Sequence, residues 1–138
     1  MDFRKSTKKN KYNNKKIVNE FGTWDSKKEY QRYLVLKDAE ANGVISNLEL
    51  QPKFELIPAI REEYVKHLKT KDKVETRTVQ LAITYTADFA YYKGKEFVVE
   101  DCKISKTIQP KEYVLKKKMM LALKGIQIKE VYKATDEI

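Results

Sequence analysis

Cysteine and histidine are nearly missing from this chain, which has one of each, Cys102 and His67, in 138 residues. One cysteine cannot form an internal disulfide, and without a Cys-x-x-Cys motif or a histidine and cysteine cluster no zinc site is expected. No run reaches the roughly 20 apolar residues of a membrane helix, and no signal-peptide core follows the charged first residues. We therefore expect a cytoplasmic protein with no membrane partner, and no role for the lone histidine.

Basic residues outnumber acidic ones, 29 to 20, which gives a net charge of +9 and an isoelectric point near 9.4. Such an excess favours a polyanionic partner, and DNA is the one we expect. The first 16 residues hold one acid and seven basic side chains: Arg4, Lys5, Lys8, Lys9, Lys11, Lys15 and Lys16. Residues 1–16 are therefore predicted to be a flexible DNA-binding arm, although basic tails are often only solvated. Residues 17–138 are predicted to form a single domain.

The spacing of apolar residues predicts an α/β fold. A first helix begins at Ser26, which forms a capping box with Glu29, and ends before Gly43. A second helix, 113–124, is capped by Gly125. Strands are predicted at 17–24 (a hairpin turning at Gly22), 44–48, 53–57, 79–91, 96–102 and 126–132, and a short helix at 60–68. This order of elements indicates a mixed β-sheet flanked by helices.

Two acids and a lysine fall on two strands that a tight turn joins. Because side chains alternate between the faces of a strand, Asp101 and Lys103 are expected to project to one side while Cys102 points away. Asp88 lies on the preceding strand, on the face opposite to its apolar residues. Carboxylate oxygens suit Mg²⁺ or Mn²⁺, and a lysine beside such a metal can position or activate a water for attack on a phosphodiester. The constellation indicates a metal-dependent nuclease.

These residues also have structural explanations. Asp88 can be an acid at a strand end, and Asp101 can form a surface ion pair with Lys103. Against this, aspartate is a poor strand former, and the valines before Asp101 indicate a strand buried on both faces, where an unpaired charge is costly. Glu100 is expected on the opposite face from Asp101, as a structural acid or one that supports the ligands from behind.

The chain resembles the PD-(D/E)xK nuclease superfamily in the order of these residues. Asp88 is followed, after the length of a hairpin, by the acid-x-lysine triplet at 101–103. Ala87 stands where the superfamily's name has proline, a position that binds no ligand. The same resemblance extends to the elements at 24–34, 43–54 and 115–131. It covers roughly residues 11–132 and is strongest to small phage-encoded members that are often described as Holliday-junction resolvases.

The resemblance implies a restriction-endonuclease-like core and a DNA endonuclease that uses Mg²⁺ or Mn²⁺. The metal ligands would be Asp88, Asp101 and the backbone carbonyl of Cys102. Lys103 would orient and help to deprotonate the attacking water. Glu29, an acid on the first helix, would act at a second metal site or through a water, although its capping-box position explains it without any metal.

The resemblance also favours a homodimer that cuts branched DNA symmetrically in phage recombination or replication, in the host cytoplasm. Lys116 and Lys117, on the second helix, are expected to add to the DNA-binding surface. Two alternatives stay open: a nuclease specific for flaps, single strands or ends, and a non-catalytic DNA-binding module on a nuclease scaffold. The intact acid-x-lysine triplet argues against the second. A ribosomal-type RNA binder would explain the charge but not the converging acids.

Overall fold

The computed structural model describes residues 26–138 with their side chains and, before them, only the backbone of 17–19 and 22–24. The predicted arm, 1–16, lies outside the described residues. The hairpin predicted at 17–24 is present, but the turn is not at Gly22, which begins the second strand and pairs with Asn19. The elements are β1 (Ile17–Asn19), β2 (Gly22–Trp24), α1 (Lys27–Ala41), β3 (Ser46–Leu50), β4 (Lys53–Ile57), β5 (Ile60–His67), β6 (Asp72–Gln80), β7 (Ile83–Thr86), β8 (Phe89–Lys93), β9 (Glu96–Cys102), α2 (Lys111–Lys124) and β10 (Lys129–Val131).

The largest sheet has four strands in the order β10-β9-β8-β3. β10 and β9 run parallel, whereas the other neighbours are antiparallel, so the sheet is mixed. Phe89 and Tyr91 pack against residues of α1, and Ala90, between them on β8, belongs to a second apolar cluster with residues of α2. Alternate residues of one strand face opposite sides, so the two helices cover opposite faces of the sheet. The predicted α/β fold with a mixed sheet is confirmed.

Both helix ends that the sequence marked are present. The Ser26 hydroxyl accepts a hydrogen bond from the Glu29 backbone N–H at 3.1 Å, which fixes the first turn of α1. α2 ends at Gly125, whose φ of +67° is the left-handed conformation that terminates helices and that glycine adopts without strain. Among the residues that the structure describes, no helix is long and apolar enough to cross a membrane.

The helix predicted at 60–68 is wrong, because this stretch forms the first strand of the β5–β6 hairpin. Ile60, Tyr64 and Leu68 are four residues apart, which imitates a helical face. The pairing partners that decide the conformation lie further along the chain. Tyr64 donates a hydrogen bond to Glu75, and Arg77 pairs with Glu62 across the strands.

The single strand predicted at 79–91 is also wrong, because it is divided among β6, β7 and β8. The alternation of apolar residues continues between β7 and β8, but the backbone hydrogen bonds go to a different strand after this point. The N–H of Ala87 donates to the Pro52 carbonyl, whereas the N–H of Asp88 donates to the Glu100 carbonyl. The last predicted strand, 126–132, shortens to three residues, and β3 begins two residues later than expected. The break between β7 and β8 is what places Asp88 beside β9.

Candidate active site

The candidate site lies where β8 begins and β9 ends. Phe89 pairs with Glu100 in the antiparallel β8–β9 ladder, so Asp88, one residue earlier, lies beside the end of β9. One Asp88 carboxylate oxygen, Oδ2, accepts a hydrogen bond from the Cys102 backbone N–H at 2.7 Å. This bond fixes the carboxyl group of Asp88 against the acid-x-lysine segment.

Asp101 is nearly buried, with 7% of its surface exposed, and each of its carboxylate oxygens has a partner. Oδ1 lies 3.2 Å from the ammonium nitrogen of Lys103, and Oδ2 accepts a hydrogen bond from the Tyr85 hydroxyl. Cys102, between the acid and the lysine, packs against the apolar cluster on the α1 side. The predicted alternation is therefore confirmed: Asp101 and Lys103 share a face and Cys102 points away.

Lys103 is held from three directions. Its Nζ atom lies 3.3 Å from the centre of the Tyr113 ring, close enough for a cation–π interaction, in addition to its contact with Asp101. Its backbone N–H donates to Val131 in β10, and its carbonyl accepts a hydrogen bond from Lys28 of α1 at 3.2 Å. Because its side chain is only 18% exposed, the ammonium group has a defined position in the site.

The carboxyl group of Asp88 is electrostatically strained. Burial, the negative charge of Asp101 and that of Glu29 together raise the pKa of Asp88 from 3.8 to about 8, although the hydrogen bond from the Cys102 N–H acts in the opposite direction. Burial and the adjacent Asp101 charge likewise raise the pKa of the Tyr85 hydroxyl, so it stays a proton donor to that carboxylate. The site concentrates negative charge in a poorly solvated place.

Glu29 lies on the first turn of α1 and is 3% exposed. It lines a cavity of about 370 Å³ together with Asp88, Asp101 and Lys103. A second cavity, of about 470 Å³, shares those last three residues and adds Tyr113 and further residues of β7 and α2. The structure thus brings all four predicted catalytic residues to one region, with Asp88, Asp101 and Lys103 forming the wall that the two cavities share.

The donor set fits a divalent cation of the magnesium type. Mg²⁺ binds proteins through one or two carboxylates and keeps several water ligands, and Asp88 and Asp101 supply two adjoining carboxylates. A bound cation would also offset the mutual repulsion that raises the Asp88 pKa. In the part of the chain that the structure describes, no group of three or more histidine, cysteine, aspartate or glutamate side chains could hold a metal ion. Glu29 therefore does not complete a three-acid cage.

The predicted DNA-binding lysines of α2 differ in their surroundings. Lys116 lines the larger cavity and pairs with Glu112 at 2.9 Å. Lys117 forms an ion pair with Glu130 of β10, so part of its charge is already compensated. The seven basic residues of the arm lie outside the described residues.

Three residues of the site were not predicted from the sequence. Tyr85 and Tyr113 belong to the apolar cluster on the α2 side, and each also contacts a charged group of the site, Asp101 and Lys103 respectively. Lys28 reaches the site from the first turn of α1. The capping box of Ser26 and Glu29 predicted this helical turn but gave no indication that Lys28 belongs to the site. Tyrosine beside an acid-x-lysine strand carries no signal that separates it from a core tyrosine.

A second buried acid on β9 serves the fold. Glu100 is fully buried and receives two hydrogen bonds from the guanidinium of Arg32, at 2.8 and 2.7 Å, and another from the Tyr91 hydroxyl. The other guanidinium N–H groups donate to the carbonyls of Ala134, Asp136 and Glu137. This network joins α1, β9 and the C-terminal segment. Glu100 is thus a structural acid, as its position in the alternation predicted.

Comparisons with known proteins place the chain in a family but supply no activity. Neither the curated proteins nor the solved structures contain a match to the chain. One family model matches residues 9–135, nearly the whole sequence and the entire candidate site. The chain therefore belongs to DUF1064, a family described as proteins of unknown function.

Proposed function

We propose that this protein is a Mg²⁺- or Mn²⁺-dependent DNA endonuclease that hydrolyses phosphodiester bonds. The observation that carries the proposal is the meeting of Asp88, Asp101 and Lys103 on the wall between two cavities. Helices on both faces of a mixed sheet, with the acid-x-lysine segment at the end of β9, support a restriction-endonuclease-like core. The net charge of +9 supports a polyanionic substrate.

Asp88 and Asp101 would hold the metal, with the backbone carbonyl of Cys102 as a third protein ligand and Glu29 acting through a water. When bound, the ion supplies Lewis-acid stabilisation of the charge that develops on the phosphate. The Cys102 N–H and the Tyr85 hydroxyl keep the two carboxylates in place, since each donates a hydrogen bond to one of them.

Lys103 orients the attacking water and helps to remove its proton. Asp101 and the Tyr113 ring fix the position of its Nζ atom beside the carboxylates. Lys116, which lines the larger cavity, would bind a phosphate of the strand that is cut. With the metal bound at the two carboxylates, these residues would orient the water and the phosphodiester for an in-line displacement.

We further propose that the substrate is branched DNA and that the protein acts as a homodimer that cuts two strands symmetrically. The excess of basic residues supports contacts to the DNA backbone, which report the shape of the DNA rather than its base sequence. Two-fold symmetry in the enzyme would match two equivalent strands in a four-way junction.

The test uses the full chain with synthetic four-way junctions, flaps, single strands and linear duplexes, each with and without Mg²⁺. We expect Mg²⁺-dependent nicking that is fastest on junctions, and we expect Asp101→Asn and Lys103→Gln to lower the rate at least about 100-fold. Asp38→Asn and Lys95→Gln are matched controls, because both residues are exposed and neither lines the site. Their rates should equal that of the original chain.

Junction binding is measured on the same variants. Binding that persists without any nicking in the original chain would favour the non-catalytic DNA-binding module. Nicking that survives both site substitutions would show that the reaction uses other residues. Preference for flaps or free ends would keep the nuclease and reject the branched-DNA assignment, and sedimentation of the complex reports the number of chains.

A further inference from the structure

The β5–β6 hairpin contains the two longest strands of the described chain and contributes no residue to either apolar cluster. Among the residues that the structure describes, its two strands pair only with each other. Every residue of both strands is exposed except Tyr64 and Glu75, which are partly buried and hydrogen-bonded to each other. Two-stranded hairpins are only marginally stable in water. A hairpin that buries so little is expected to gain its stability from a partner.

The end of this hairpin is strongly basic. Residues 66–73 hold four lysines and one aspartate, and the aspartate, Asp72, pairs with His67 at 2.9 Å. Lys66 and Lys73 lie directly opposite each other in the ladder, an arrangement that like charges make unfavourable. Within the described chain, Lys66, Lys69 and Lys71 form no ion pair, and Lys73 reaches Glu75 only at 3.5 Å. The repulsion at this lysine tip (Lys66, Lys69, Lys71 and Lys73) would be relieved by a polyanion.

The hairpin continues from the wall of the candidate active site. Residues 84–86 of β7 line the larger cavity with Asp88 and Lys103, and two residues separate β7 from β6. The last pair of the β4–β7 ladder is Ile57 with Ile83. The first pair of the β5–β6 hairpin, Ile60 with Gln80, follows after two unpaired residues on each side. Nine residues of β6 span roughly 25–30 Å at about 3.4 Å per residue. That reach is comparable to one turn of a DNA duplex, about 34 Å.

We propose that the β5–β6 hairpin is a DNA-binding arm whose lysine tip contacts the phosphate backbone within about one helical turn of the strand held at Asp88, Asp101 and Lys103. The inference rests on the proposed nuclease function for the identity of its polyanion. The major groove of DNA is wide enough to admit a two-stranded β-ribbon, and lysines bind the flanking phosphates as point charges. The arm would hold the duplex while the site acts on one strand.

The test compares two variants of the full chain, each carrying Asp101→Asn so that DNA stays intact. The tip variant changes Lys66, Lys69, Lys71 and Lys73 to glutamine. The control variant changes an equal number of exposed lysines that lie outside the hairpin to glutamine: Lys95, Lys118, Lys124 and Lys133. Both variants lose the same net charge. Circular dichroism checks that each is folded.

Affinity for a labelled duplex is measured by fluorescence anisotropy over a range of salt concentrations. We expect the tip variant to bind at least about 10-fold more weakly near 0.1 M salt and the control variant less than about 3-fold more weakly. The slope of log affinity against log salt should fall by about 0.9 for each phosphate that the tip variant no longer neutralises, and by less in the control. Hydroxyl-radical footprinting should lose one protected patch in the tip variant.

Equal losses in the two variants would overturn the arm, because general charge would then explain binding. A tip variant that binds as tightly as its parent would also overturn it, even if the original chain nicks DNA. A tip variant with unchanged affinity but altered mass in sedimentation would assign the hairpin to contacts between copies of this chain. If the tip is needed for binding but the original chain never nicks DNA, the arm stands and the nuclease proposal fails.

Discussion

Replacing Asp88 by asparagine should stabilise the protein in the absence of metal, although it removes a proposed ligand. Asparagine keeps an oxygen that can accept the hydrogen bond from the Cys102 N–H, and its amide can donate to Asp101. It removes the negative charge that burial, Asp101 and Glu29 disfavour at this position. The change therefore separates the cost of the charge from the geometry of the site.

The size of the effect follows from the pKa of Asp88, which rises from 3.8 to about 8 on folding. At pH 7 the unfolded chain has an ionised carboxylate that must take up a proton to fold, which costs about 4 kcal/mol, since pH 7 lies roughly three pH units above 3.8 and each unit is worth about 1.4 kcal/mol. The penalty is absent below about pH 4, grows as the pH rises and is complete above about pH 8. Asp88→Asn should recover this energy over the same range of pH.

Urea unfolding of both proteins with a metal chelator present measures the difference at about pH 4, 6 and 8. We expect almost no advantage for asparagine at the lowest pH and an advantage of roughly 4–5 kcal/mol at the highest. Asp38→Asn, which neutralises an exposed acid on α1, should change the unfolding free energy by less than about 0.5 kcal/mol at every pH.

Added Mg²⁺ should narrow the difference between the two proteins. A ligand that binds only the folded state stabilises it by about 2.7 kcal/mol at 100 times its dissociation constant and by about 4.1 kcal/mol at 1,000 times, and the asparagine variant should gain much less. An advantage for asparagine that does not depend on pH, or a variant less stable than its parent at pH 8, would refute the electrostatic reasoning. Equal stabilisation of both proteins by Mg²⁺ would place the metal elsewhere.

Three further changes test the structure around the site. Arg32→Met should lower the unfolding free energy in urea by about 3–5 kcal/mol, because it leaves Glu100 buried without its cation; a loss below about 1 kcal/mol would contradict this. Tyr85→Phe should cost about 1 kcal/mol and slow nicking, since Asp101 loses a hydrogen bond, whereas an unchanged nicking rate would show that this bond does not orient the carboxylate. Gly125→Ala should lower the free energy of unfolding, measured by thermal denaturation, by about 1–2 kcal/mol and leave the nicking rate unchanged. An unchanged free energy of unfolding would mean that the helix end adopts another conformation.

The elements that could be predicted from the sequence are those whose conformation depends on residues close along the chain. The cap at Ser26 forms with a residue three positions later, and the end of α2 requires the left-handed conformation of Gly125. The shared face of Asp101 and Lys103 follows from alternation within one strand. Each of these predictions needed no knowledge of the distant chain, and each is confirmed.

The predictions that are wrong concern segments whose conformation depends on pairing across the chain. Ile60, Tyr64 and Leu68 have helical spacing, but the bonds that form β5 come from residues of β6. Ala87 continues the alternation of the strand before it, whereas its backbone partner, Pro52, is 35 positions away in the chain. Local periodicity does not report such partners, because tertiary pairing overrides weak local preference.

Two neighbouring acids on β9 show how the fold distributes charge. Glu100 faces α1, where Arg32 donates two hydrogen bonds and directs its other N–H groups to backbone carbonyls, so this acid has a full cationic partner. Asp101 faces the other way and contacts one lysine, Lys103, whereas the neighbouring carboxyl group of Asp88 has a raised pKa. If Asp88 and Asp101 served only the fold, an arginine beside them would compensate their charge, as Arg32 compensates the charge of Glu100. The shortage of positive charge beside Asp88 and Asp101 costs stability, and a divalent cation is the partner that would remove that cost while supplying the proposed chemistry.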